Sequence, residues 1–506
     1  MKAVKPAKAI MRPGMNVWKK VNAGKVLFLI DMQAYLEQLK TVLKVAKRSI
    51  WILGWDFNPY LDLDQGEAGL NSELGPFLRS LVEDNPELDI RILIWGEGPV
   101  FSGHTLRFFQ KMDWADHPRI HLDYDLAHPV RASHHQKIVA VDEYFAFIGG
   151  MDLTAKRWDD RSHRADNPLR VTAEGEAYPP VHDVQVLVSG EAASALAEVA
   201  RRRWRRSSEE TVPAHGSLEH AWPCNRPPHM ENCEAGIALT QPGTASSTRR
   251  TEAIQLTCDA IASATHCIYI EAQYLASWRV TRKLVARLKE RAGPEVIIVA
   301  PKTTRGVLEQ LTMGEAMARC FRRLRRADRH DRLRATYAVV PTEDGGEEEI
   351  LIHSKVVIID DRLVRVGSSN LNNRSEGFDT ECDLAIEGTD DACRAAIRGL
   401  RADLLSEHLD ADKTELADLI DGHGSVVTAL DALNIRSKGL RPLDIAPAVY
   451  DRITSIGKVL FDPKRPYWPF HRIVSWSNSR FRRLKMKTRF GKLAGDGTCR
   501  EDERLP

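Results

Sequence analysis

The chain has no run approaching the ~20 consecutive apolar residues of a membrane-spanning helix, and its basic opening from Met1 to Gly14 lacks an apolar stretch of signal-peptide length. These absences predict a soluble protein without Sec-type export, cytoplasmic or peripheral at a membrane. Eight cysteines are scattered without framework spacing, which fits a reducing compartment better than a disulfide-stapled one. Neither a Cys/His cluster at zinc spacing nor an acidic calcium loop is present, so no metal and no other cofactor is expected. The acidic run from Glu343 to Glu349 reads as a solvated hairpin tip. One-signed charge is also missing overall, since the net charge is +2. What is there, 506 residues with 43% hydrophobic content, suffices for about three domain-sized units.

A repeated pattern is the most informative feature. His-x-Lys-x4-Asp occurs as His135, Lys137 and Asp142, and again as His353, Lys355 and Asp360, 218 positions later. Three fixed residue types recur by chance at about one position in 8,000, so two accidental copies in one chain are improbable. In an extended strand alternate side chains share a face, so each His projects with its Lys. His134 turns the other way. The runs Ile138 to Val141 and Val356 to Ile359 are short, β-branched and bounded by polar turns, as buried strands are.

The offset extends beyond the motif. Ser49 to Ile52 aligns with Cys267 to Ile270, and Gly150 and Asp152 align with Ser368 and Asn370. Val184 and its neighbours, from Asp183 to Gly190, align with Glu381 to Gly388 at an offset of 198, so the first half carries about twenty extra residues around Arg157 to His182. Each half reads as helix, strand, helix, strand, motif hairpin and a further strand. The predicted fold class is α/β: two duplicated lobes, each a mixed, largely buried sheet flanked by helices, sharing one active site at their interface.

These residues resemble the phospholipase D superfamily, whose members use two such motifs in one bilobal site. The resemblance runs from about Val26 to Leu409. Flanking residues refine it toward the true phospholipase D branch: Gly149 to Thr154, Arg157 to His163, His182-Asp183, Tyr269 to Tyr274 and Asn373 to Ser375. The resemblance implies that Asp183 and Glu381 orient the two catalytic histidines, and the repeat independently puts these carboxylates in equivalent places. It also assigns the nucleophile to His135 and the acid and base to His353, a choice that the motif alone leaves open.

The chemistry follows from the side chains. Cleaving a phosphodiester needs a nucleophile for phosphorus, an acid for the departing alkoxide, and positive charge around the phosphoryl oxygens. One neutral imidazole attacks and forms a phosphohistidine; the other donates to the leaving group and then deprotonates water or an alcohol. Lys137 and Lys355, with Asn370 and Ser368, stabilise the equatorial oxygens, the role of metal ions elsewhere. Asp142 and Asp360 complete the catalytic motifs, although at the far end of a strand a carboxylate more readily fixes a turn. Substrate-binding candidates are Ser368, Asn370, Asp152, Gly150, Trp158, His163, Gln273 and Tyr274, together with Trp55; aromatics in such places are core residues about as often as ligand contacts.

Along the chain, residues 1–25 read as a basic lead-in, 26–206 as the first lobe, 207–247 as a Pro- and Ser-containing linker, 248–409 as the second lobe, and 410–506 as a helical segment and tail. From Pro463 to Gly495 ten Lys or Arg stand with six large aromatics and no Asp or Glu. That composition suits an anionic membrane surface, a nucleic-acid backbone, or packing back onto the lobes. The leading function is hydrolysis or transphosphatidylation of glycerophospholipids, with a phospholipid membrane surface as partner and water or an alcohol as acceptor. A cardiolipin-synthase-like transferase is weakened by the missing membrane spans, and a nuclease by the presence of both halves in one chain, which implies activity as a monomer. If the lysines supply the positive charge, turnover in excess chelator should equal turnover in divalent metal. Activity lost to chelator and restored by one defined ion would refute this.

Overall fold

The computed structural model describes residues 9–64, 72–96, 113–129, 132–243, 248–303 and 314–444. The basic aromatic stretch from Pro463 to Gly495 lies outside them. The first lobe contains β1 (Lys19–Ile30), α1 (Asp31–Lys44), β2 (Ser49–Gly54), α2 (Leu74–Asp84), β3 (Asp89–Trp95), β4 (Ile120–Asp125), β5 (Ile138–Val141), β6 (Phe145–Gly149), β7 (Val181–His182), β8 (Val184–Ser189) and α3 (Glu191–Ser208). The second repeats this with β9 (Met230–Gln241), β10 (Arg250–Thr251), α4 (Glu252–Ser263), β11 (Cys267–Ala272), α5 (Trp278–Lys289), β12 (Glu295–Val299), α6 (Glu315–Ala327), β13 (Leu333–Pro341), β14 (Glu347–Glu349), β15 (Leu351–Ile352), β16 (Lys355–Ile359), β17 (Leu363–Gly367), β18 (Glu381–Glu387) and α7 (Asp391–Leu409). Then come α8 (Lys413–His423), α9 (Val426–Leu433) and β19 (Gly439–Pro442).

The lobes share one mixed sheet, in the order β4-β3-β2-β5-β6-β8-β1-β9-β18-β17-β16-β11-β12-β13. The order is a palindrome about the β1–β9 pair. Strand β2 reads SIWILG and is buried throughout, because parallel β3 and antiparallel β5 flank it and helices cover both faces. Alternation sorts its side chains: Trp51 and Leu53 enter a core shared by both lobes, while Ile50 and Ile52 face α1 and α2. The shared core lies under α3 and α7 and contains residues as far apart as Phe28 and Ile386. The opposite faces close separately, over α1 and α2 in the first lobe and α4, α5 and α6 in the second.

Three expected boundaries move. The linker from 207 to 247 contains β9, a central strand whose Ile237 and Leu239 are buried; only the segment around Pro227 and Pro228 behaves as a connector. The lead-in of residues 1–25 includes most of β1's pairing with β9, and the backbone N–H groups of Ile10 and Met11 donate to the Glu387 carboxylate at 2.8 and 3.0 Å. After residue 410, β19 pairs with β13 and extends the second lobe's sheet. Strands β1, β4 and β7 in the first lobe, with β9, β13 and β15 in the second, are additional to the expected element order. The acidic run does form a hairpin tip, between β13 and β14. Among the described residues no helix is long and apolar enough to cross a membrane.

The motif aspartates, counted above with the catalytic set, are turn anchors. Each adopts a left-handed φ of 51° just after its strand. Asp142 accepts the backbone N–H groups of Lys47, Arg48 and Ser49, each at 2.8 Å, and Asp360 accepts those of Thr265, His266 and Cys267 at 2.8 to 2.9 Å. Five residues of extended chain separate each from its motif lysine, roughly 17 Å, too far to share a phosphate. Asp142→Ala leaves three N–H groups without an acceptor, at about 1–3 kcal/mol for a buried one. The thermal midpoint should therefore fall by several degrees while kcat stays within about tenfold of wild type; a collapse of kcat in a folded variant would restore a catalytic role.

Candidate active site

Two short backbone pairings set the site. β7 runs parallel to β15, so the His353 N–H donates to the His182 carbonyl at 2.8 Å. Symmetrically, the His135 N–H donates to the Thr380 carbonyl at 3.0 Å, and the Thr380 N–H to the Ser133 carbonyl at 3.0 Å. Each pairing places the histidine of one lobe beside the residue that precedes the other lobe's carboxylate.

The side chains therefore cross. His135 Nδ1 lies 2.8 Å from Glu381 Oε2 and 3.1 Å from the Ser368 carbonyl. A carbonyl only accepts, so Nδ1 carries the hydrogen and Nε2 keeps its lone pair. His353 Nδ1 lies 2.6 Å from Asp183 Oδ2. Glu381 is itself fixed by the hydroxyls of Ser368 and Ser375, each donating at 2.6 Å, and Asp183 accepts the Val184 N–H at 2.8 Å. The lysines are held as well: Lys137 Nζ is 3.0 Å from Asp152, and Lys355 Nζ donates to Gln273 Oε1 at 3.0 Å.

Burial dominates the electrostatics. It holds both histidines well below the usual imidazole range, reinforced at His135 by Lys137 and Lys355, and at His353 by Lys355 and Arg157. Burial likewise brings Lys355 down to about 7 and raises the carboxyl groups of Asp183 and Glu381. The unliganded site thus keeps its imidazoles neutral. A phosphodiester anion offsets the lysine charges and favours protonation of whichever imidazole serves as acid.

The substrate-binding candidates divide. Gln273, Tyr274 and Asn370 are partly exposed beside the motif residues, and Asn370 Oδ1 has no hydrogen-bond partner. Ser368 and Asp152 instead position Glu381 and Lys137. Gly150 is a spacing residue: a Cβ there would stand 2.2 Å from Asp183 Oδ1. Trp55 packs against Trp95 in a tilted pair, their ring centroids 5.4 Å apart. Trp158 is packed in the first-lobe core, and His163 is fully buried.

His163 belongs to a polar cluster behind Asp183, which sequence reading missed because its members are distant in the chain. His163 reaches Asp159 at 2.9 Å and Glu407 at 3.2 Å through its two nitrogens; His182 reaches Glu407 at 2.9 Å and Asp31 at 3.1 Å through Nδ1, and Glu271 at 3.0 Å through Nε2. With carboxylates near both nitrogens, the pKa values of both rings rise despite burial, that of His163 to about 9. Asp31, His163, His182 and Glu407, like His182, Glu271 and His408, also have the donor set of a metal site, with ligand atoms within 4.8 Å. The cluster supports the site, because the Asp31 N–H donates to the Asp183 carbonyl at 2.9 Å. Two other residues escaped notice: Ser375, which fixes Glu381, and Arg157, whose charge acts on His353. Both stand in the quoted flanking motifs.

Comparison with known proteins agrees with this fold. The fold is similar to the crystal structure of phosphatidylserine synthase from Haemophilus influenzae Rd KW20, with a TM-score of 0.53 and 13% identity over 82% of this chain and 97% of that one. Residues 257–398 match the family model described as cardiolipin synthase, PLD-like domain. The chain is 24% identical to Phospholipase D1 of Saccharomyces cerevisiae, over 78% of this chain and 29% of that protein. It is 22% identical to Phospholipase D alpha 4 of Arabidopsis thaliana, over 74% and 63% respectively. The chain is thus similar in sequence to proteins named phospholipase D over most of its length, and its second lobe matches the PLD-like domain model. It spans less than a third of the yeast protein's length and under two thirds of the plant protein's.

Removing a neighbouring positive charge relieves the depression of the His135 pKa, so Lys137→Met should move the acidic limb of the kcat/KM profile to higher pH, on a much reduced rate. A limb that stays in place would assign it to another group.

Proposed function

We propose that this chain is a phospholipase D-type phosphodiesterase and transphosphatidylase acting on glycerophospholipids. The observation that carries the reading is the crossed pair of His–carboxylate dyads, each with a buried lysine. Relatives named phospholipase D support the substrate class. His135 Nε2 attacks phosphorus as the bond to the head-group oxygen breaks, and His353 gives that oxygen its proton. Neutral His353 then takes a proton from water or an alcohol, whose oxygen attacks phosphorus and releases His135. Lys137, Lys355 and Asn370 face the phosphoryl oxygens throughout, charge placed where it develops. Glu381 and Asp183 hold each ring in the tautomer that leaves Nε2 toward the substrate.

The second reading, a cardiolipin-synthase-like phosphatidyltransferase, uses the same covalent intermediate and differs only in the acceptor; the description of the matching family model favours keeping it. In either case the protein works as a monomer, in the cytoplasm or at a membrane surface. Incubation with mixed phospholipids, with and without a primary alcohol, separates the products: phosphatidic acid alone, a phosphatidyl alcohol, or cardiolipin. His135→Ala and His353→Ala should each lower turnover by several orders of magnitude, and a quenched wild-type reaction should carry acid-labile, alkali-stable phosphorus on the His135 peptide. Residual activity within tenfold of wild type in either variant would sink the proposal.

A further inference from the structure

We infer that the paired faces of α5 and α6, with Trp278 at their active-site end, form the surface by which the enzyme docks on an anionic phospholipid bilayer. The inference deepens the phospholipid reading and rests on it. Helix α5 reads WRVTRKLVARLK, with five cations and no carboxylate, and α6 reads EAMARCFRRLRRA, with five arginines and one Glu. Their apolar sides, including Val280, Leu284, Phe321 and Leu324, pack into the second-lobe core and leave the charged sides outward. Internal ion pairing uses only part of this charge: Glu315 takes Arg319 and Arg322, Glu290 takes Arg287, and Asp444 takes Arg325. Among the described residues, Arg282, Lys283, Lys289, Arg323 and Arg326 have no carboxylate partner within ion-pair distance, and all but the half-buried Lys283 are exposed.

The aromatic residue at this face is also out of place for a solvated helix. Trp278 is 43% exposed, and the Arg323 guanidinium stands 4.4 Å from its ring centroid. An exposed indole beside cations suits the headgroup layer, where an amphipathic ring and positive charge are both accommodated. Its position ties it to the site. The preceding Ser277 donates its hydroxyl to Glu376 at 2.5 Å and its N–H to the Leu371 carbonyl at 2.7 Å, in the loop that carries Asn370 and Ser375. Five residues before Trp278, Gln273 holds Lys355. A bilayer seated on Trp278 therefore meets the rim from which substrate enters, and the remaining cations hold the second lobe against it.

The test is co-sedimentation of the full chain with vesicles of phosphatidylcholine, with and without phosphatidylglycerol, read beside turnover of a short-chain phosphatidylcholine kept below its micellar limit. Arg282 and Arg326 are exposed and Lys283 is half-buried, and none belongs to the apolar core, so the substitutions leave the packing of both helices in place. R282E/K283E/R326E should weaken binding to the anionic vesicles at least tenfold and W278A severalfold, with added salt reducing wild-type binding. Turnover of the soluble substrate should stay within about twofold for both variants, as neither touches the dyads. Unchanged anionic-vesicle binding by the charge-reversed variant overturns the inference and hands docking to another part of the chain. So does wild-type binding to a single-stranded oligonucleotide with none to vesicles. If the wild type binds vesicles but turns over no phospholipid, the catalytic reading fails while the docking measurement still stands.

Discussion

Everything at the site depends on an exchange: the carboxylate that orients each histidine belongs to the other lobe. The exchange is enforced in the backbone, by the β7–β15 pairing on one side and the Ser133–Thr380 hydrogen bonds on the other. These backbone links join the lobes, so separating them would exchange paired groups for hydrated ones and lose the alignment that aims each carboxylate at its histidine. The common core under α3 and α7 makes such separation costlier still. Orientation of the imidazoles is thus a property of the assembled pair of lobes, and neither lobe contains it alone.

A second layer of organisation concerns charge. Two lysines, two histidines and two carboxylates lie in a largely dry site, where an unbalanced ion is expensive. The site answers by weakening the charged forms: the imidazoles stay neutral, Lys355 approaches neutral titration, and Glu381 gains three donors to offset its burial. Directly behind, the balance tips the other way, with the carboxylates around His163 and His182 raising their pKa values despite burial. The same side chain thus favours its neutral form in one place and its charged form in another, according to the charges around it.

How much of this the sequence revealed follows from the range of each interaction. The motif strands, the duplication and the equivalence of Asp183 with Glu381 were legible because they rest on local alternation and repeated spacing. The crossing of the dyads was not, since an alignment of two halves shows which residues correspond and not which ones touch. Strand β9 was lost in a linker because Pro227 and Pro228 dominated the reading of a segment whose next dozen residues are strand-forming. His163 was read as a pocket residue since only the fold brings Asp31 and Glu407 to it. Gly150 was placed near the substrate, yet its lack of a side chain serves Asp183.

The palindromic sheet carries an evolutionary consequence. In most duplicated proteins one copy is free to drift once the other keeps the function. Here the ring that works in one half is aimed by an acid inherited through the other, so damage to either copy disarms a histidine in its sibling. The two halves can lengthen loops, swap Asp for Glu or acquire an inserted segment, as the first has done around Arg157 to His182. Redundancy is the one thing that this duplication never provided.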